Sequence, residues 1–199
     1  MVITDPVLLK GRDPVAVCRA AVQGGATMIQ VRWKDGTPSE VLELTRALVA
    51  ALPVPVLVND RVDIALAAGA AGAHLGWDDV PLAALRPHVP AGFLLGISVG
   101  SDDEASRALG LPADYWSIGP CFATPTKHDA GPPLGPEGFA ALARHAPDGV
   151  PVIGIGGISS TNALSVVRAG AAGVAVIGAV LGAPDPEVAA RAVAAAARA

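Results

Sequence analysis

Two aspartates, Asp60 and Asp79, carry the clearest chemistry in this chain. Each follows one of two successive apolar runs, residues 55–59 and 73–75. Carboxylates placed after adjacent strands can converge on one ion. Two carboxylates, completed by substrate oxygens and water, are the usual way a protein holds Mg²⁺. Plainer roles are also open: Asp60 as a cap on the next helix, Asp79 as a solvated loop charge, and Asp78 as a competitor for the inward position. The cations form a second group. Arg32 and Lys34 leave one apolar run two residues apart and can face the same way, and Lys127 sits in a proline-constrained loop with Thr124 and Thr126. Arginine and lysine beside a divalent metal suit a diphosphate, although a solvated pair at a strand end would have the same spacing. The third group is Gly156-Gly157, followed by Ile158-Ser159-Ser160 and a helix. Backbone N–H groups at a helix start bind phosphate, and a tight strand-to-helix turn would use the same glycines. One anion site with metal and cations, and another made of amides, suit two phosphorylated substrates or one with phosphates at both ends. His74, His88, His128 and His145 show no ligand spacing and read as structural or exposed.

The elements that must position these residues alternate along the whole chain. Strands are expected at residues 2–4, 28–32, 55–59, 73–75, 94–98, 115–119, 152–155 and 174–177. Between them lie helical patterns at about 13–24, from Thr37 or Ser39, 62–68, 82–85, 102–109, 136–144, 160–169 and 186–197. Pro14 after Asp13 is a helix-start signal, and Val41, Leu42, Leu44, Leu48 and Val49 repeat near the helical period. Strands that are nearly continuous apolar runs belong to a parallel sheet buried on both faces. Eight such units predict a single-domain (β/α)₈ TIM barrel over residues 1–199, with an open doubly wound sheet as the alternative. In that barrel the active site lies at the C-terminal ends of the strands, which is where the polar residues above fall. Residues 120–135 form a long loop rich in Gly and Pro, the candidate lid.

Composition narrows the function further. Hydrophobic residues are 52% and charged residues 16% of the 199, which excludes intrinsic disorder. A net charge of −4 argues against a nucleic-acid partner. Cys18 and Cys121 have no metal-ligand spacing and read as free thiols in a reducing compartment. With no secretory signal pattern and no apolar run of the roughly 20 residues a membrane span needs, a cytoplasmic location is expected. Of eleven arginines and three lysines, two lysines fall among the rim residues.

The motifs "QVRWKD", "VNDRVDIALAAGAAGAHLGWDD", "GPCFATPTKHDAGPPLG" and "GIGGI" together resemble the thiamine-phosphate synthase family, and the resemblance covers nearly the whole chain. It implies a transferase of thiamine biosynthesis. Such an enzyme joins a hydroxymethylpyrimidine diphosphate to a thiazole phosphate, or to a carboxylated thiazole with loss of CO₂, and releases diphosphate. In the family the pyrimidine carbon is thought to ionise before the thiazole attacks, which needs electrostatic stabilisation of the leaving group and no protein nucleophile. Carried over, Asp60 and Asp79 resemble the Mg²⁺ ligands. Gln30, Arg32, Lys34, Asn59, Ser98 and Lys127 would hold the pyrimidine diphosphate, with Arg32, Lys34, Ser98 and Lys127 the catalytic set. Thr124, Thr126 and the backbone at Gly157, Ile177 and Gly178 would hold the thiazole phosphate.

Several positions depart from the family pattern. Gly100 stands for a histidine, Gly178 for a serine, Trp77-Asp78 for a Gln-Glu pair, Ala123 for a proline and Trp33 for an acidic residue. A tautomerase-like relative would need no diphosphate site. A sugar-phosphate epimerase or isomerase would need neither the threonine-lysine loop nor the carboxylate pair. A non-catalytic precursor-binding protein would bind without turnover. The sequence leaves the oligomeric state and the preferred thiazole open.

Overall fold

Runs of Val, Ile and Leu form the strands, and Asp, Ser and Thr start the helices between them. The computed structural model describes residues 1–124 and 131–199. The strands are β1 (Val2–Ile3), β2 (Ile29–Val31), β3 (Val56–Asn59), β4 (Gly72–Leu75), β5 (Leu94–Val99), β6 (Tyr115–Ile118), β7 (Val152–Ile155) and β8 (Gly173–Ala175). They make one eight-stranded sheet in chain order, each parallel to the next. The last strand returns to the first: Ile3 N–H donates to Val176 O at 3.0 Å and Val176 N–H to Met1 O at 3.1 Å. The sheet therefore closes into the expected (β/α)₈ barrel.

The helices are α1 (Pro6–Leu9), α2 (Pro14–Gln23), α3 (Pro38–Ala51), α4 (Val62–Ala68), α5 (Leu82–Leu85), α6 (Asp102–Ala108), α7 (Gly135–Ala143), α8 (Ala163–Arg168), α9 (Gly178–Leu181) and α10 (Pro186–Ala196). A 3₁₀ turn, Arg86–His88, follows α5. Asp13 accepts from the amides of Val15 and Ala16 and so caps α2. Thr37, not Ser39, starts α3: its hydroxyl accepts from Glu40 N–H while the Glu40 carboxylate accepts from Thr37 N–H, a capping box. Side chains alternate along each strand. Residues such as Ile29, Val31, Val56, Val58, Ile97 and Trp116 join one buried cluster with the helices. Ile3, Gln30, Leu57, His74 and Tyr115 are equally buried on the alternate strand positions, inside the barrel.

Three departures from the expected elements bear on the site. Helices α1 and α9 were not foreseen, because four apolar residues carry no helical period. Helix α8 begins at Ala163 instead of residue 160. There Asn162 Oδ1 accepts from Ser159 N–H at 2.8 Å and its Nδ2 donates to Gly157 O at 3.0 Å, holding residues 157–162 in a turn. Strand β8 is shorter than expected and gives way to α9, with Ile177 as its N-cap.

Arg12 fixes α9 in place. Its guanidinium donates to the carbonyls of Leu8 (3.1 Å), Leu9 (3.0 Å), Ala183 (2.9 Å) and Leu181, joining the end of α1 to the end of α9 across the barrel seam. These are carbonyls that helix ends leave unpaired. Among the described residues no helix is long and apolar enough to cross a membrane. Cys18 and Cys121 are free and buried; burial pushes their thiols up to about 12 and about 11.

Candidate active site

The site begins at the ends of β1 and β2. Thr4, after β1, is buried; its Oγ1 accepts from Arg32 N–H at 2.9 Å and donates to Arg32 O at 3.3 Å. Asp5 lies 3.7 Å from the Arg32 guanidinium, and both side chains are largely buried. Arg32 is thus aimed by the preceding strand. Lys34 is exposed on the same loop.

The ends of β3 and β4 bring the carboxylates together. Asp60 has φ +64, a left-handed conformation that aspartate enters more readily than most residues. Its N–H donates to His74 O at 2.8 Å, turning the chain as β3 ends. The helix that follows, α4, has Arg61 as N-cap and no side-chain cap bond. Asp60 is therefore no helix cap. Its carboxyl instead meets that of Asp79. Burial, then the charge of Asp79 and a hydrogen bond to it, push Asp60 up to about 6, while Lys34 and Arg32 pull it down. Asp79 is oriented by Gly76, whose N–H donates to Asp79 Oδ2 at 2.7 Å. Asp78 is exposed, so Asp79 is the inward-facing aspartate of the pair.

Beneath the carboxylates lies a polar layer inside the barrel. Ser98 Oγ is 2.9 Å from His74 Nε2, and His74 Nδ1 is 2.9 Å from the Tyr115 hydroxyl. Gln30 is almost fully buried beside Tyr115, and Asn59 pairs in register with His74. His74 is thus the structural histidine expected, but it also touches a candidate site residue; His88 and His145 are exposed.

The second group assembles where β6, β7 and β8 end. Gly156 and Gly157 have φ of +94 and +61. A Cβ on Gly156 would lie 2.6 Å from Pro120 Cα, and one on Gly157 would lie 2.5 Å from Ala123 O. Only glycines let the loop after β6 pack this closely. Two further bonds hold it: Cys121 N–H to Ile155 O at 2.7 Å and Phe122 N–H to Gly156 O at 2.9 Å. The residue after Ala123 is Thr124, so its threonine and Gly157 are neighbours in space. The helix expected from residue 160, behind Gly156-Gly157, begins only at Ala163. The short helix at this rim is α9, with Ile177 as N-cap and Gly178 as first residue. Barrels of this class commonly bind phosphate with the loops after strands seven and eight and a short extra helix. Thr126, Lys127 and His128, and with them the middle of the loop at residues 120–135, lie outside the described residues.

The departing positions are also placed. Trp77 turns beneath the Arg107 guanidinium, 4.3 Å from its ring centre. The ring of Trp33 covers Gly36, where a Cβ would meet it at 2.7 Å. At Gly100 a Cβ would sit 3.0 Å from Gly119 O, and the N–H donates to Glu104 Oε2 at 2.6 Å. Of the residues gathered here, sequence reasoning missed Thr4, Asp5 and Tyr115. No sequence signal marks Tyr115, whose contact with His74 depends on the strand register. For Asp5 the signal was its position directly after the strand expected at residues 2–4.

Comparison with known proteins adds the family. The family model described as "Thiamine monophosphate synthase" (TMP-TENI) matches residues 1–180. A thiamine-phosphate synthase from Roseiflexus sp. (strain RS-1) is 48% identical over 194 residues, covering 96% of this chain and 81% of that protein. One from Chloroflexus aurantiacus is 45% identical over 193 residues, covering 96% and 88%. The solved thiamine phosphate pyrophosphorylase from Pyrococcus furiosus superposes with a TM-score of 0.88 at 35% identity, covering 99% of this chain and 94% of that one. With its rim geometry and this match over nearly its full length, the chain belongs to the thiamine monophosphate synthase family.

Proposed function

We propose that this chain joins a hydroxymethylpyrimidine diphosphate to a thiazole phosphate, forming thiamine phosphate and releasing diphosphate with the help of Mg²⁺. Family membership makes it a transferase of the thiamine-phosphate synthase type. The observation that carries the finer reading is the meeting of Asp60 and Asp79 within the field of Lys34 and Arg32. Two carboxylates in one place repel each other, and a hard cation with oxygen ligands relieves that repulsion. Among the described residues no third His, Cys, Asp or Glu joins them as a metal cluster. Two carboxylates are hard oxygen donors of the kind Mg²⁺ takes, and its remaining ligands would be diphosphate oxygens and water. Bound there, Mg²⁺ would neutralise charge developing on the leaving diphosphate.

The chain's own groups do the rest. Arg32, held by Asp5 and Thr4, and Lys34 pair with diphosphate oxygens. Ser98 donates to the same group, and Lys127 is assigned there with them. Asn59 and Gln30 contact the pyrimidine. Thr124, Thr126 and the amides of Gly157, Ile177 and Gly178 hold the thiazole phosphate, so that the thiazole nitrogen faces the pyrimidine methylene carbon. The C–O bond to diphosphate breaks with its electron pair leaving on oxygen, and the nitrogen lone pair forms the new C–N bond. Binding both partners in this orientation replaces a bimolecular encounter with a local one.

The test is a coupling assay with purified protein, both substrates and Mg²⁺, with and without EDTA. Thiamine phosphate that EDTA abolishes is the expected result. Product that survives EDTA removes the metal, and no product despite binding of both substrates removes the transferase reading. A related expectation concerns Gly178. A Cβ there meets only Leu8 Cδ1, at 3.9 Å, so serine fits. One added hydroxyl donor contributes about 1 kcal/mol. Gly178→Ser should therefore lower KM for the thiazole phosphate roughly fivefold with KM for the pyrimidine diphosphate unchanged, as initial-rate kinetics would show.

A further inference from the structure

Helix α9 begins with the two residues whose amides are assigned to the thiazole phosphate, yet it has little of its own to hold it in place. Its four residues make barely one turn, and a helix that short draws its stability from what it packs against. Val180 and Leu181 are fully buried and set its depth. Its C-terminal end is held by Arg12, whose guanidinium donates to the carbonyls of Leu181 and Ala183.

The same guanidinium donates to Leu8 O at 3.1 Å and Leu9 O at 3.0 Å, the last two residues of α1. The chain turns sharply to allow this. Lys10 and Gly11 both have left-handed backbone, φ +51 and +78, a conformation uncommon for lysine. The turn brings Arg12 N–H back onto Leu9 O at 3.0 Å. Helix α1 in turn touches the start of α9, since a Cβ on Gly178 would meet Leu8 Cδ1 at 3.9 Å. Arg12 therefore grips α9 directly at its end and, through Leu8, at its beginning. The other end of α1 is anchored independently: Asp5 Oδ1 accepts from Leu8 N–H at 3.2 Å while its Oδ2 faces Arg32 at 3.7 Å.

We infer that Arg12 is a positioning residue for the thiazole phosphate: its fork clamps α1 to α9 and so sets where the Ile177 and Gly178 amides point. The inference rests on the reading of those amides given above. A positive charge alone would also favour the carbonyl ends of two helices. The four carbonyls lie in different directions, however, and are met by donors on all three guanidinium nitrogens, which a single ammonium cannot reproduce. The phosphate on the thiazole takes no part in the bonds that break and form. Amides that hold it contribute binding common to ground and transition states, so their misplacement should appear in KM and not in kcat.

Two measurements test this. In the first, Arg12→Lys keeps the charge and removes the fork. KM for the thiazole phosphate should rise about tenfold, the scale of one hydrogen bond to a charged group, while kcat and KM for the pyrimidine diphosphate change less than about twofold. Arg86→Lys is the control. Arg86 also joins carbonyls, those of Phe93 and Pro112, but these precede β5 and β6 and lie at the strand ends opposite the rim. That variant should melt lower than the parent and keep both KM values. A rise in KM for the thiazole phosphate in Arg86→Lys, or equal rises or none in Arg12→Lys, overturns the inference. If Arg12→Lys does not fold, Leu8→Ala, which empties the contact at Gly178 and keeps all four carbonyl bonds, should raise the same KM about threefold, and an unchanged KM overturns the inference. The second measurement needs no turnover. In amide ¹H–¹⁵N spectra of the intact parent, thiazole phosphate should shift the Ile177 and Gly178 peaks; if it does not, the reading of these amides falls and the inference with it. If it does, Arg12→Lys should displace both peaks before ligand is added and weaken the titration about tenfold. Undisplaced peaks, or the parent's affinity, overturn the role of Arg12 while the phosphate site stands.

Discussion

Asp60→Asn should abolish Mg²⁺-dependent turnover and at the same time make the metal-free protein more stable. The activity loss follows from removing one of two carboxylates at the proposed cation site; a loss on the order of 10³-fold in kcat is expected for a ligand that helps stabilise a departing diphosphate. The stability gain follows from the sign of the pKa shift. Burial and Asp79 hold Asp60 up at about 6, against an ordinary aspartate value of 3.8. The folded state therefore binds this proton more tightly than the unfolded chain does. Its contribution is most favourable below pH 3.8, is lost as pH rises towards about 6, and above that leaves a charge the fold would rather not carry. Asparagine keeps the left-handed backbone accessible and removes the charge. Allowing for solvent screening of this half-buried group, the gain at pH 7.5 is about 1 kcal/mol, or roughly 2–4 °C in Tm. The gain should shrink towards pH 4. Thermal melts of both proteins in EDTA across that range, together with the coupling assay, decide it. A variant that melts lower than the parent at pH 7.5 would show that Asp60 is no strained member of a carboxylate pair.

The second large effect is expected at Gly157. Alanine there must adopt φ +61 and place Cβ 2.5 Å from Ala123 O and 2.8 Å from Phe122 Cβ. The backbone term alone is about 1 kcal/mol, and forcing apart a closely packed loop adds roughly 2 kcal/mol more. Gly69 supplies the comparison, since it also has positive φ, at +70, but nothing lies within 4 Å of its would-be Cβ. Gly69→Ala should cost only the backbone term. Because the loop that Gly157 supports leads to Thr124, Gly157→Ala should also raise KM for the thiazole phosphate more than about tenfold while sparing the pyrimidine diphosphate. Urea denaturation of both variants and KM for each substrate measure it. Equal rises in the two KM values would show that the glycine pair serves the whole barrel and not one phosphate.

The barrel was legible because its signals are local. Apolar runs bounded by glycine, and caps such as Asp13, identify strands and helix starts without knowledge of the rest, while the choice of Thr37 over Ser39 needed the structure. Helices α1 and α9 were not, since their four residues are held by tertiary partners such as Arg12 and not by a periodic face. The start of α8 was placed too early because the bonds among Ser159, Asn162 and Gly157 compete with helix geometry and leave no mark on the hydrophobic pattern. At the rim, placement after strands brought out Asp60, Asp79, Arg32 and Lys34, which the fold does gather. Spacing alone left Asp78 as a competitor, and the resemblance, not the spacing, pointed to Asp79, which the Gly76 N–H orients. Tyr115 stayed hidden because an inward tyrosine in a strand reads as core. Its hydroxyl meets His74 two strands away, and that contact exists only in the register.

The seam across α1 and α9 bears on how this sequence can drift. Eleven arginines against three lysines looks like a uniform compositional habit, but the arginines are not equivalent. At Arg12 a forked, planar group meets carbonyls from Leu8, Leu9, Leu181 and Ala183, and Arg86 likewise joins Phe93, Pro112 and Asp114. Lysine has three donors on one point and cannot span such a set. Arg19 and Arg144 are exposed, and lysine would serve there as well. A shift in genomic base composition would therefore exchange the exposed arginines first and leave the seam untouched. In this chain, which arginines persist through such a shift is a record of geometry.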